Sequence, residues 1–201
     1  MTTRDMAFFR SFREICKAVN SSLDLQEVLR LIVENVTAIM KVKACTIFLL
    51  DMKNKQLEVA ATHGLSEAYL EKGPLSALKS IIENIEGRSV LIQDAGRDSR
   101  IQYPREAKAE GITSIYSVPI PVKNRIIGAL RIYTAEPRDF SDEEREFVDG
   151  LAEMSGIAIE NARLHHHLKS DYETLITDMH QWFEYGAAAS PRKSRVMERI
   201  S

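Results

Sequence analysis

Between about residues 142 and 185 the chain runs without proline, has glycine only at 150 and 156, and repeats one set of positions at alternating spacings of four and three. The set is Phe147, Leu151, Met154, Ala158, Asn161, His165, Leu168, Tyr172, Leu175, Met179 and Trp182. A period of about 3.5 residues held over about five heptads defines a coiled-coil seam on a single long helix. Ser141, with Glu144 three residues on, has the spacing of a capping box at its start, and Gly186 with the small residues behind it is expected to end it. About 44 residues at 1.5 Å each reach about 66 Å. The roughly 140 residues ahead of them should have a radius of gyration of about 14 Å. The distal half would therefore carry Leu168, Tyr172, Leu175 and Trp182 into solvent unless a partner covered them, and a second copy of the chain is the simplest partner. A homodimer is the expectation; the alternative is a helix that folds back as a hairpin onto residues 6–20. Asn161 and His165 are polar members of the seam, suited either to fixing register or to a wet domain edge. Two facing His165 side chains about 7 Å apart would repel by about 2.4 kcal/mol at an effective dielectric of 20 once both are protonated.

The remainder reads as helices around a mixed middle, with no internal repeat. Phe8, Phe12, Ile15 and Val19 put one apolar stripe on a helix over residues 6–20. After Asn20-Ser21-Ser22, Asp24 starts a second helix with Glu27 at capping-box spacing, and Leu25, Val28, Leu29, Ile32, Val36 and Met40 form its buried face. Residues 44–51 and 56–63 form an antiparallel hairpin across a polar turn. Short helices are predicted over 65–71 and 75–85, a strand over 89–93, a polar loop over 94–100 and a short helix over 106–110 stopped by Gly111. Residues 115–122 and 125–134 make a second hairpin about Lys123-Asn124, where asparagine can take the positive φ a tight turn needs. Pro119 and Pro121 lack ladder donors and belong near an edge or a bulge. The fold class is α+β: a central antiparallel sheet flanked by helices, with a long C-terminal helix. The expected organisation is a dimer helix over 1–22, a domain over 23–165, a coiled-coil extension over 166–185 and a flexible basic tail over 186–201.

Composition narrows the function. Hydrophobic residues at 44% and charged residues at 28% suit a globular protein with an ordinary core. The longest uncharged stretch, residues 111–122, contains two prolines and falls well short of the roughly 20 apolar residues that cross a bilayer. Arg10, Arg13 and Glu14 interrupt the apolar run near the N-terminus, so no secretory leader is expected. A net charge of −2 exerts no general pull on nucleic acid or anionic lipid. Two cysteines, Cys16 and Cys45, make neither a disulfide framework nor a zinc site, and a reduced, cytoplasmic setting is expected.

Enzyme motifs are missing. Gly64, Gly73, Gly87 and Gly96 are isolated, so they form no phosphate-binding loop. No serine sits in a nucleophile elbow, and both cysteines fall on apolar stripes. His165, His166 and His167 are consecutive, so on a helix they point about 100° apart and cannot share one metal ion. His180, in Met179-His180-Gln181-Trp182, lacks the acidic neighbour and proline of a histidine-kinase phospho-acceptor. Arg192, Lys193, Arg195 and Arg199 read as a solvated tail.

Several separate blocks carry a family resemblance. They are Leu25-Gln26-Glu27-Val28-Leu29, Asp94-Ala95-Gly96-Arg97-Asp98-Ser99-Arg100, Ala109-Glu110-Gly111-Ile112-Thr113-Ser114 and Ser117-Val118-Pro119-Ile120. Ile127-Gly128-Ala129-Leu130, Phe140-Ser141-Asp142-Glu143-Glu144 and Ile157-Ala158-Ile159-Glu160-Asn161-Ala162 follow in the same order. Over about residues 20–165 the chain resembles a GAF domain. The resemblance implies a GAF/PAS-like sheet with helices on one face, a small-molecule pocket on the other, and use as a sensory or regulatory module signalling through its terminal helices, without catalysis of its own. Cyclic-nucleotide binders carry Asn-Lys and Phe-x-x-x-Asp-Glu, which Phe140-Ser141-Asp142-Glu143 does not match, so a cyclic nucleotide is not expected. Bilin attachment needs a cysteine beside a histidine, absent here. The related free methionine sulfoxide reductases use pocket cysteines, whereas Cys16 lies in the wrong element and Cys45 stands alone. Haem through His63 stays open. The implied pocket lies between the sheet and segments 75–86 and 94–111, with Asp98, Arg100, Tyr103, Ser114 and Tyr116 as its polar groups. Arg100 could clamp an anion or could pair internally with Asp94 or Asp98. The alternative to a sensor is a ligand-free dimerisation scaffold whose helices dock a kinase or other regulator.

Overall fold

The computed structural model describes residues 3–22, 24–77, 84 and 86–188. The chain divides into two units, Met1–Ala162 and Arg163–Ser201.

In the first unit α1 (Thr3–Ser21) and α2 (Leu25–Met40) precede the hairpin β1 (Ala44–Asp51) and β2 (Gln56–His63). Then come α3 (Glu67–Leu70), β3 (Leu75–Ser76), β4 (Val90–Ile92), α4 (Pro104–Ala109) and the hairpin β5 (Ser114–Val122) and β6 (Arg125–Thr134). The last helix, α5 (Asp142–Ala188), has 47 residues and crosses into the second unit. It passes Gly186, the end expected from the sequence, and its described extent closes at Ala188. The basic tail with Arg192, Lys193, Arg195 and Arg199 lies outside the described residues. Among the described residues no helix is long and apolar enough to cross a membrane.

The six strands form one sheet in the order β3-β2-β1-β6-β5-β4, every neighbouring pair antiparallel. Side chains alternate between its faces. Cys45 and Ile47 of β1, Leu130 and Ile132 of β6, and Tyr116, Val118 and Ile120 of β5 join the main core with α1, α2 and the first turns of α5. Ala44, Tyr133 and Ile115 face the other way and pack with Tyr69, Ile92, Ala95, Ala107 and Ile112. Phe48 and Ala129 meet Leu57, Leu75 and Ala77 on that same lid side.

Three local expectations need revision. The predicted helix over 75–85 begins as strand instead: Leu75 and Ser76 pair with Leu57 and Gln56, and most of the remainder lies outside the described residues. At α2 the Asp24 carboxylate accepts from the backbone N–H of Gln26 and Glu27, as predicted, but the return half of the box is relayed. The Ser22 hydroxyl donates to Glu27 Oε2 at 3.0 Å and accepts from the Asp24 N–H at 3.1 Å. In the second hairpin the left-handed residue is Lys123, at φ +54, and not Asn124. Pro119 and Pro121 sit where their missing donors cost least. β4 pairs only with Ile115, Tyr116 and Ser117, and the register shifts at Ile120/Pro121.

Candidate functional site

The residue that stands out is Arg131. It occupies the middle of β6, in Gly128-Ala129-Leu130-Arg131-Ile132-Tyr133, and is only 6% exposed. Arginine is almost never this buried without specific partners. Register explains its surroundings. Arg131 lies opposite Thr46 of β1 and Ser117 of β5, and Thr46 lies opposite Thr62 of β2. Directly opposed residues share a face. A polar row therefore crosses four strands on the lid side of an otherwise apolar sheet.

Arg131 Nε donates to Ser117 Oγ at 3.3 Å, and its guanidinium carbon stands 5.3 Å from the Phe48 ring centroid. The Ser117 hydroxyl donates to Asn84 Oδ1 at 2.6 Å. Asn84 Nδ2 returns hydrogen bonds to the carbonyls of Ser117 (3.0 Å) and Arg88 (2.8 Å). Thr46 and Thr62 hydroxyls meet at 2.8 Å. Beside the row, Tyr133 and Tyr69 stand edge to face with centroids 6.3 Å apart. Lys72 Nζ lies 3.8 Å from the Tyr69 ring centroid and donates to the Tyr69 carbonyl at 2.9 Å. Burial raises the Tyr133 and Tyr69 hydroxyls above the ordinary phenol range, with the Arg131 charge opposing it. Burial, then the repulsion of Arg131, pushes Lys72 down to about 8, while Glu110 and Glu106 pull it up. Glu110 also anchors the lid: its carboxylate accepts from the N–H and hydroxyl of Ser66, which caps α3, and lies 3.6 Å from Lys43 Nζ. Those contacts hold Glu110 below the usual carboxylate range although burial works against them.

The residues chosen from sequence are divided among three places. Arg100 is paired internally, as one of its two readings held: Nε and Nη2 donate to the two Asp98 oxygens at 2.9 and 2.6 Å, and its backbone N–H donates to Asp98 Oδ1 at 2.9 Å. This pairing draws Asp98 down. The Tyr103 hydroxyl donates to the Pro74 carbonyl at 2.9 Å and joins the lid segments. Ser114 and Tyr116 do not face the lid. The alternation of β5 turns Ile115 and Ser117 that way and sends Tyr116 into the helix-side core, stacked on Phe140 at 4.8 Å. Ser114 shares the face of Tyr116 and donates to the Gln93 carbonyl at 3.0 Å. The sequence reading missed Arg131, Ser117, Asn84 and Lys72. A single cation inside an apolar central strand was the available signal.

Other candidates separate in the same way. His63 lies opposite Cys45, whose side chain is on the helix side, and is exposed. Cys45 is buried, which pushes its thiol far up and keeps it unreactive, while Cys16 is half-buried on α1. Among the described residues no group of three or more histidine, cysteine or acidic side chains is placed to hold a metal ion. Along the heptad series, Phe147, Leu151 and Ala158 are buried in the core of their own domain and Met154 packs against it. Their apolar surface is already covered within one chain. Asn161 and His165 are exposed, as are Leu168, Tyr172, Leu175, Met179 and Trp182.

The family profile described as GAF domain matches residues 22–160. The chain belongs to the GAF domain family. A GAF domain from a phosphoenolpyruvate-protein phosphotransferase of Coxiella burnetii superposes with a TM-score of 0.71 at 23% identity, covering 83% of this chain and 99% of that one. The free methionine-R-sulfoxide reductase of Neisseria meningitidis gives 0.69 at 16% identity, covering 82% of this chain and 95% of that one. At these identities the likeness is one of fold. A curated relative, the methyl sulfide methyltransferase-associated sensor of Methanosarcina acetivorans, is 27% identical over 165 residues. These cover 76% of this GAF chain but only 16% of the relative's length.

Proposed function

We propose that this GAF domain is a non-catalytic sensory module that binds a small molecule over the lid face of the sheet and relays its presence through helices paired in a homodimer. One observation carries the reading. Ser117 and Tyr116 are consecutive on β5, yet Ser117 belongs to the Arg131 row and Tyr116 packs beneath α5. The Arg145 guanidinium on α5 stands 5.5 Å from the Tyr116 ring centroid. The Ser89 hydroxyl, just beyond the Asn84–Arg88 contact, lies beside both Tyr116 and Asp149 of α5. Occupancy of the lid face and placement of α5 are thus tied through single residues. The sensor named among the relatives supports the signalling half of this reading. The exposed Leu168, Tyr172, Leu175 and Trp182 support the dimer half, since such a stripe on one helix gains most from a matching stripe. A kinase or other regulator is the proposed recipient of the signal.

The same stripe favours a second reading, a ligand-free scaffold that docks a regulator. Sedimentation velocity at micromolar concentration, combined with thermal-shift screening against nucleotides, amino acids, haem and 2-oxo acids, separates the two. A dimer whose melting temperature rises with one compound class is the expected outcome. A monomer with intact helix overturns the relay, and a dimer indifferent to every compound replaces the sensor with the scaffold.

A further inference from the structure

β2 is left partly open by its own neighbour. On its outer flank β3 pairs only with Gln56 and Leu57, and β3 ends the sheet on that side. Among the described residues no strand lies against residues 58–63 on that flank. The Ala77 N–H donates to the Lys55 carbonyl at 3.0 Å, so Lys55 turns its backbone groups outward. Alternate residues repeat that direction, which turns Leu57 and Val59 outward as well. Val59 lies opposite Phe48 of β1, and Thr62 lies opposite Thr46, two residues along β1. Past the bulge at Ala60, Thr62 therefore presents its N–H and carbonyl to the same flank. Val59 is 46% exposed, and the run Val59-Ala60-Ala61-Thr62 carries no charge to repel an incoming strand.

Beside this flank a groove of about 660 Å³ lies between the start of α2 and β2, lined by Asp24, Gln26, Glu27, Arg30, Ala61 and Thr62. Its charges are unequally engaged. Arg30 Nη1 is committed to Glu34 Oε1 at 2.7 Å. Asp24 uses Oδ1 for the N–H groups of Gln26 and Glu27, and Glu27 receives the Ser22 hydroxyl on Oε2. Asp24 Oδ2 and Glu27 Oε1 accept no hydrogen bond from a described residue. Two carboxylates thus keep acceptor capacity at the groove, and the charge that complements them is positive.

We propose that this flank of β2 is a docking site for an extended, basic peptide segment of a partner protein. The segment adds to the sheet beside β2 and exchanges backbone hydrogen bonds with Val59 and Thr62. Its alternate side chains place a lysine or arginine in the groove against Asp24 and Glu27. Backbone pairing supplies the affinity, and the groove selects for positive charge. The bulge at Ala60 interrupts the ladder between the two contact points, so the added strand is short and its binding reversible. The site does not depend on what the lid face binds.

Fluorescence anisotropy of labelled short peptides with the full chain at low ionic strength tests this. One probe alternates threonine with lysine, and a second alternates threonine with glutamate. A third is the lysine peptide with its backbone nitrogens methylated, which removes its donors. The lysine peptide is expected to bind about tenfold more tightly than the methylated one and about fivefold more tightly than the glutamate one. Asp24→Asn combined with Glu27→Gln keeps the cap and the Ser22 contact, and should weaken the lysine peptide about fivefold with an unchanged circular dichroism spectrum. Val59→Pro removes an outward N–H at an edge position, where proline is tolerated, and should weaken the lysine peptide further. Should Val59→Pro fail to fold, the charge variant and the methylated peptide decide. Equal binding of the lysine and glutamate peptides, or no change on Asp24→Asn with Glu27→Gln, overturns the basic partner in the groove. A methylated peptide that binds as well as its parent overturns strand addition. Binding of no peptide at millimolar concentration overturns the site. Self-association of the chain that Val59→Pro abolishes, read by sedimentation, gives the flank to a second copy and overturns the partner peptide.

Discussion

The rings of Phe8 and Phe147 stack with centroids 4.4 Å apart and planes 11° from parallel. This contact joins α1 to α5 at the point where both also enter the main core. Phe8→Ala removes a buried ring and leaves Phe147 facing a void, which should lower the unfolding free energy by about 3 kcal/mol. Urea denaturation followed by circular dichroism measures this. Hydrogen exchange should show the α1 amides losing protection first.

Gly156 lies where α5 runs against the end of β5. A Cβ there would stand 2.2 Å from the Pro121 carbonyl oxygen, a backbone atom that cannot rotate away. Alanine ordinarily gains about 1 kcal/mol over glycine inside a helix. The clash outweighs that gain, and Gly156→Ala should destabilise by about 2 kcal/mol. Gly150 makes the contrast: its Cβ would meet only the Phe12 ring edge at 3.3 Å, and a half-buried side chain can yield. Gly150→Ala should therefore be neutral or slightly stabilising in the same assay.

Glu144 is buried and completes the start of α5. Its Oε2 accepts from the Ser141 N–H at 2.9 Å, its own N–H donates to Ser141 Oγ at 3.3 Å, and its other oxygen receives Arg138. Arg138 in turn donates to the Met40 carbonyl at 2.8 Å, tying the end of α2 to α5. Glu144→Ala strips the cap and leaves the guanidinium without its carboxylate, at a cost of about 3 kcal/mol. Glu144→Gln keeps the cap acceptor and should cost about 1 kcal/mol. Chemical denaturation at neutral pH ranks the two.

Lys72 gives stability a specific pH dependence. Its folded value is depressed to about 8 from 10.5, so the unfolded chain holds this proton more tightly than the folded one. Stability then rises with pH between about 8 and 10.5, where the unfolded state alone remains protonated, and the penalty is present in full below about 8. Wild type should gain on Lys72→Met between pH 8 and pH 9.5, below the range where tyrosines ionise. A constant difference between the two proteins over that interval contradicts the assignment.

Periodicity made much of this architecture legible in advance. The stripe of Phe8, Ile15 and Val19, the capped start at Asp24 and the two hairpins depend on local spacing and turn chemistry, and these elements form within a few residues of their expected ends. The candidate site was harder because its parts are assembled by strand register. Arg131 meets Thr46 and Ser117 only once β1, β6 and β5 are aligned. The loop rich in Asp and Arg offers Asp98 and Arg100 as polar candidates, yet the two pair with each other. Tyr116 was placed on the wrong side because a shift of one residue along a strand exchanges its two faces. The heptad series was readable, but nothing in its spacing told that Phe147, Leu151 and Ala158 would be consumed by the domain's own core.

The flanks of the sheet limit how molecules of this kind can come together. On one side β3 is two residues long; on the other, β4 covers only Ile115, Tyr116 and Ser117 of β5, and beyond them Pro119 and Pro121 have no N–H to give. At the β4 border the two prolines break the run of donors on which a neighbouring strand could grow. Addition of a further strand along β5 is thereby discouraged.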